Sequence, residues 1–177
     1  MRCPVFFFVV FINLSLFGQN QKMKGTISFI SIAPQEQIKA TSQSLEGLLK
    51  PNDLTFAFIV DINTFDGFNS PLQKEHFNEN YMESSIYPKA KFYGRIIESI
   101  DIHKTNDETI RAKGNLEIHG VTKERIIQIQ LSRKNGILTF VSKFSISLED
   151  YRINIPRIVH QKLSDQIKVH VEGVFIP

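Results

Sequence analysis

The sequence predicts an all-β domain, an antiparallel barrel or sandwich of about eight strands with one short helix. Three observations carry this. Thr109 to Ile118 alternates strictly: Ile110, Ala112, Gly114, Leu116 and Ile118 share one face, and Thr109, Arg111, Lys113, Asn115 and Glu117 the other. Such a period of two marks a strand with one dry and one wet side. Turn signals recur at short intervals, among them Asp66-Gly67, His119-Gly120 and Asn135-Gly136. Asn-Gly is a strong hairpin signal because both residues tolerate positive φ. Only Pro71 to Ser84 carries convincing helical spacing.

Taken in order, Thr26 to Ile32 is a strand with Ile27 and Phe29 on one face and a break in phase at Ile30. Pro34 cannot donate to a ladder, so it belongs to a connection. Glu36 to Ser42 is a polar second strand. In Leu54 to Thr64, Leu54, Phe56, Phe58, Val60 and Ile62 form the apolar face. Ser70 is a candidate N-cap and Pro71 suits the first helical position. The helix puts Leu72, Phe77, Tyr81 and Met82 near one face and turns Lys74, Glu75, Asn78 and Glu79 away. Lys89 to Ile97 follows, with Ala90, Phe92, Gly94 and Ile96 inward. After Thr109 to Ile118 come Glu124 to Leu131, Ile137 to Leu148 and Gln166 to Ile176, the last with Ile167, Val169, Val171, Gly173 and Phe175 inward. Pattern alone leaves barrel and sandwich close to even.

A length of 177 residues predicts one domain, and the N-terminus predicts an export signal before it. Arg2 leads into residues 4 to 17, PVFFFVVFINLSLF, with Gly18 after them. A basic start, an apolar run and a small residue describe a secretory signal peptide. The run is shorter than the roughly 20 residues a membrane span needs. The expected division is therefore signal over 1–18 and domain over 19–177, in the periplasm or outside the cell. The single cysteine, Cys3, leaves with the signal, which removes disulfides, thiol chemistry and Cys-ligated metals from consideration. The full chain carries 21 basic and 18 acidic side chains, interspersed rather than blocked. A charge of +3 without a basic stripe argues against a nucleic-acid partner.

Motifs of known chemistry are missing. His76, His103, His119, His160 and His170 form no HExxH or HxH pair, and no P-loop, GxGxxG or GxSxG occurs. No metal site, cofactor or catalytic residue is expected. His119, at a turn, is expected to hydrogen-bond locally. Of fifteen phenylalanines, Phe6, Phe7, Phe8, Phe11 and Phe17 lie in the apolar leader, leaving ten. Phe56, Phe58, Phe92, Phe140, Phe144 and Phe175 sit on strands. They read either as packed core or as the wall of an apolar tunnel.

Two stretches carry a resemblance. Gly114 to Lys123 reads GNLEIHGVTK, and Pro71 to Phe92 contains HFNENYMES and YPKAKF. In this order and spacing they resemble the YceI-like family of secreted, lipocalin-like β-barrels that bind polyisoprenoid lipids. SLEDYRINIP, Ser147 to Pro156, is similar to the family's late strand and its descent into a loop. Two departures stand out: Arg152 occupies a position where a small residue or glycine is expected, and Ala40-Thr41-Ser42-Gln43 lacks the histidine and Gly-Phe pair usual after the first strands.

The resemblance implies a closed barrel with the helix near one mouth, and a non-catalytic protein that holds an isoprenoid or other long-chain lipid. The implied lining is Phe56, Phe58, Val60, Phe77, Tyr81, Met82, Phe92, Leu116, Phe140, Phe144 and Tyr151, with Asn78, Tyr81, Tyr151 and Arg152 as polar candidates for the head group. A homodimer is one assembly compatible with this. Two other functions compete: a periplasmic enzyme using His76 with Glu75 or Glu79 at the mouth, and a filled barrel whose exterior binds a protein.

Overall fold

A computed structural model describes residues 20–176. Eight strands form a closed antiparallel barrel in sequence order, β8 pairing back onto β1. They are β1 Gln21–Ile32, β2 Gln37–Lys50, β3 Thr55–Asp61, β4 Lys89–Ile96, β5 Glu108–Ile118, β6 Val121–Lys134, β7 Ile137–Ser147 and β8 Gln166–Ile176. The helix α1, Pro71–His76, lies between β3 and β4 and continues into a wider π turn over Phe77–Tyr81. Closure decides between the barrel and the sandwich that the pattern left even. The leader lies outside the described residues.

Where the apolar period is unbroken, strand phase follows it. Ile110, Ala112, Gly114, Leu116 and Ile118 are all buried. Asn135 (φ 52°) and Gly136 (φ 79°) make the expected left-handed turn between β6 and β7, and His119 (φ 50°) and Gly120 (φ 70°) make another between β5 and β6.

Three expectations need correction. The break in phase at Ile30 is only apparent: Met23 and Ser31 are buried on the same parity as Ile27 and Phe29, and Ile32 simply faces solvent. The second strand does not stop at Ser42 but runs to Lys50. Its register against β1 steps by one residue between Gly25↔Leu45 and Ile27↔Ser42. That bulge switches the buried parity from Ala40 and Ser42 to Leu45 and Leu49, which hides the strand from a strict period of two. The helix is shorter than Pro71 to Ser84. Ser70 caps it by accepting from the Gln73 amide. Its fifth-neighbour bond from Met82 N–H to the Phe77 carbonyl then turns Phe77 and Met82 inward. Leu72 is left exposed.

The barrel is built from two leaves. β7-β8-β1-β2 and β3-β4-β5-β6 are each paired over long stretches, but β2 meets β3 only from Glu46↔Ile59 to Lys50↔Thr55. On the opposite side β6 meets β7 only from Gln130↔Val141 to Lys134↔Ile137. Both seams are closed at one end of the barrel and splayed at the other. The splayed end is bridged by side chains and loops: Ser142 Oγ donates to the Gln128 carbonyl at 2.6 Å, and Thr41 exchanges two backbone bonds with Asp66. The closed end is filled by Met23, Leu49, Leu54, Phe56, Ile96, Ile110 and Leu138. Over it lies the β4–β5 loop, held by Arg133, which donates to the Thr105 and Ile102 carbonyls at 2.9 and 2.8 Å.

In the middle of one leaf Gly94 faces Gly114. A Cβ on Gly114 would overlap the Tyr93 carbonyl oxygen, so the two strands approach too closely for a side chain there. Gly114→Val is expected to lower stability by about 3 kcal/mol, the upper part of the usual overpacking range. Lys113→Val, which loses only an exposed pair with Glu124 at 3.2 Å, should cost well under about 1 kcal/mol. Urea denaturation of both variants measures this, and equal midpoints would contradict the strand phase.

Candidate functional site

The splayed half of the bore is lined by alternating residues of all the strands that reach it, and it is not filled. A cavity of about 140 Å³ lies among Phe29, Val60, Ile62, Phe77, Met82, Leu116, Ile118, Phe144, Ile146 and Ile167. Its wall presents no polar surface. A second chamber of about 80 Å³ lies deeper, among Phe58, Phe92, Ile127, Phe140 and Val171. Ile27, Val60, Ala90, Leu116 and Phe144 line both, so the chambers follow one another along one bore. Lys91 borders the inner chamber from the outward parity of β4, and its ammonium pairs with Glu117 at 3.0 Å.

A cluster of four phenylalanines shapes the mouth. Phe29 stacks on Phe77 with centroids 5.3 Å apart, and Phe65 and Phe68 stand 5.8 and 5.1 Å from Phe77. Phe29 was read from sequence only as part of a face, and Phe65 and Phe68 were not singled out. Both lie between β3 and α1 in a segment without strand period, so only their apolar character signalled them. Outside this cluster a vestibule of about 400 Å³ separates the helix from the segment that carries Val159, Lys162 and Leu163. Phe77, Tyr81 and Leu163 border both vestibule and cavity.

The structure therefore brings most of the expected lining together. Val60, Phe77, Tyr81, Met82, Leu116 and Phe144 line the outer chamber; Phe58, Phe92 and Phe140 line the inner one. Two residues differ. Phe56 borders neither chamber: it is buried in the closed end, 5.0 Å from Phe92 and 6.0 Å from Phe58 between ring centroids. Tyr151 borders neither, and it is fully buried at 0 % exposure.

The polar candidates are scattered. Arg152 is exposed and holds a left-handed backbone (φ 57°), which explains why a glycine or small residue is expected there. Asn78 does not point away from the protein as expected. Its side chain donates to the Lys74 carbonyl at 2.9 Å, and its Oδ1 is buried without a partner among the described residues. His76 reaches the vestibule but makes no hydrogen bond with Glu75 or Glu79 among the described residues, and all three are exposed. Among the described residues no three of His, Cys, Asp and Glu converge as metal ligands, and no helix is long and apolar enough to cross a membrane.

His119 does more than bond locally. One ring nitrogen lies 2.7 Å from Glu83 Oε2 and the other 3.2 Å from the Tyr151 carbonyl oxygen, with the Tyr87 ring 4.7 Å away. It ties the chain after the helix to the β5–β6 turn and to the turn after β7. Glu83 (φ 43°), His119 (φ 50°) and Arg152 (φ 57°) are left-handed non-glycine residues in or beside this latch. Such strain persists only where the surroundings over-determine it.

The Tyr151 hydroxyl is buried without a hydrogen-bond partner among the described residues. Burial pushes its pKa up from 10.0, with nearby Arg125 opposing and Asp150 reinforcing the shift. An unpartnered buried hydroxyl costs about 1–3 kcal/mol. Tyr151→Phe should therefore stabilise the protein by about 1 kcal/mol at neutral pH. A raised pKa means that stability falls as pH climbs past about 10, because the unfolded state loses its proton first. The substitution should flatten that decline. Urea melts at pH 7 and pH 11 test both effects, and a loss of about 1 kcal/mol or more at pH 7 would show that the hydroxyl has a partner.

Related solved structures share the fold. A polyisoprenoid binding domain from Saccharophagus degradans superposes with a TM-score of 0.72 at 12% identity, over 88% of this chain and 97% of that one. BcnA of Burkholderia cenocepacia gives 0.70 at 13%, over 85% and 95%. The Campylobacter jejuni YceI protein gives 0.56 at 17%, over 99% and 94%. No curated protein matches the sequence at a significant level. The model of the YceI-like domain matches residues 7–175, nearly the whole chain; with the closed barrel and its mouth helix, this places the chain in the YceI-like family.

Proposed function

We propose that this protein is a non-catalytic carrier that holds the apolar chain of an isoprenoid or another long-chain amphiphile inside the barrel. The observation that carries the reading is the overwhelmingly apolar bore, packed shut at one end and opening toward a vestibule at the other. Burial of methylenes, worth about 0.8 kcal/mol each, drives binding without a strong polar contact. An apolar cavity of about 150 Å³ stays dry and accepts apolar guests, and the outer chamber, about 140 Å³, is of that size. The fold shared with a polyisoprenoid binding domain supports the same class of ligand. The proposed lining is the set that borders the chambers, without Phe56 and Tyr151.

The leader supports export to the periplasm or beyond, with cleavage near Gly18 and a mature domain from residue 19. Mass spectrometry of the mature chain should find a new N-terminus close to Gln19, and an intact Met1 on protein in the cytoplasm would oppose export. Native mass spectrometry of gently extracted protein should reveal an apolar adduct. Met82 is buried and borders the outer chamber, so Met82→Ala should leave a folded protein with at least fivefold weaker retention of that adduct. Unchanged retention together with a stability loss of about 2–5 kcal/mol would make Met82 a core residue only.

A further inference from the structure

The bore does not run through the barrel. In an eight-stranded barrel β3 and β7 stand on opposite walls. Phe58 of β3 and Phe140 of β7 nevertheless meet ring to ring, with centroids 5.4 Å apart. They form a crossbar over the whole diameter. Each ring fits because its neighbouring strand carries a glycine. A Cβ on Gly47 would stand 2.6 Å from the Phe58 ring, and one on Gly173 would stand 2.5 Å from the Phe140 ring. Phe175 backs Phe140 at 5.8 Å. On the mouth side of the crossbar lies the inner chamber; on the far side is packed core.

We propose that the Phe58–Phe140 crossbar is the length stop of the ligand site, a proposal that rests on the bore being that site. An apolar cavity of about 150 Å³ takes one benzene, six carbons. On that scale, chambers of about 140 and 80 Å³ take roughly nine carbons in line. The site is thus matched to a slim apolar tail of about two isoprene units or a medium-length acyl chain. Carbons beyond that length stay in the vestibule or in water and add little. The size-selective element is the crossbar rather than the mouth.

The test is isothermal titration of the folded domain with 1-alkanols from hexanol to hexadecanol, and with geraniol and farnesol as the branched arm. Affinity should rise about fourfold per carbon while methylenes are being buried. It should then flatten near nine or ten carbons, with less than a twofold gain over the rest of the series. Farnesol should gain less than twofold over geraniol, and a larger gain would overturn the length stop. Phe58→Ala should move the break outward by up to about six carbons, the size of the ring removed. Phe58→Leu and Phe140→Leu should move it less but in the same direction, and these carry the test if the alanine variant fails to fold. An unbroken rise through hexadecanol in the parent protein would overturn the length stop while leaving the cavity as the ligand site. A break unmoved in folded variants would overturn it too. Failure of every alcohol to bind the folded protein would contradict the cavity reading itself, and the length stop with it.

Discussion

The ladder between β1 and β8, from Lys22↔Ile176 to Ser31↔Ile167, turns a meander of strands into a barrel. Without it both terminal strands would present unpaired edges. With it, the inward residues of eight strands are confined to one bore whose width is set by strand number. The sequence fills that bore unevenly. At the end where both seams are closed, Leu49, Phe56, Ile110 and Phe140 pack to exclusion of solvent. Toward the mouth the strands diverge, and Ile27, Val60, Leu116 and Phe144 stand around open space instead. The site is the part of the core that closure creates and the side chains do not fill.

The two leaves explain where the mouth lies. Between the upper parts of β2 and β3, and of β6 and β7, the backbone ladder is replaced by side-chain bonds and inserted segments. Arg125 donates to the Ser145 carbonyl at 2.7 Å across one seam, and Ser42 and Thr64 hydroxyls meet at 2.6 Å across the other. Regions with few ladder bonds open at lower cost than ladder-rich ones. The His119 latch fastens this region, joining three segments that are distant in sequence. The result is a packed floor, a loosely sealed upper half and a defined place where they meet.

Much of this was legible in the sequence, for physical reasons that differ by element. The inward faces of β3, β5 and β8 were readable because period two persists through them. The continuation of β2 was not, because the bulge opposite Gly25 and Ile27 reverses which residues are buried. The helix could be placed from Ser70 and Pro71, but its π turn could not, so Leu72 was assigned a buried face that Phe77 and Met82 take instead. Most of the site followed from shared strand faces. Phe56 misled because it shares its face with Phe58 and Val60; parity gives the side of the sheet, not the depth along the bore. Tyr151 follows a turn whose geometry no period encodes. The crossbar itself depends on which opposite-wall residues stand at one height, a property of barrel stagger that local sequence does not express.

If the upper half of the bore is a dry, dead-ended site, an apolar tail enters it end-on and stops at the packed floor. A crystal structure of residues 19–177 grown with 1-decanol is the decisive measurement. Continuous density is expected for one extended chain, its hydroxyl in the vestibule near Tyr81 and Leu163 and its terminal methyl against the Phe58 and Phe140 rings. Ordered water throughout the bore, or an alcohol bound only on the outer wall of the barrel, would contradict it.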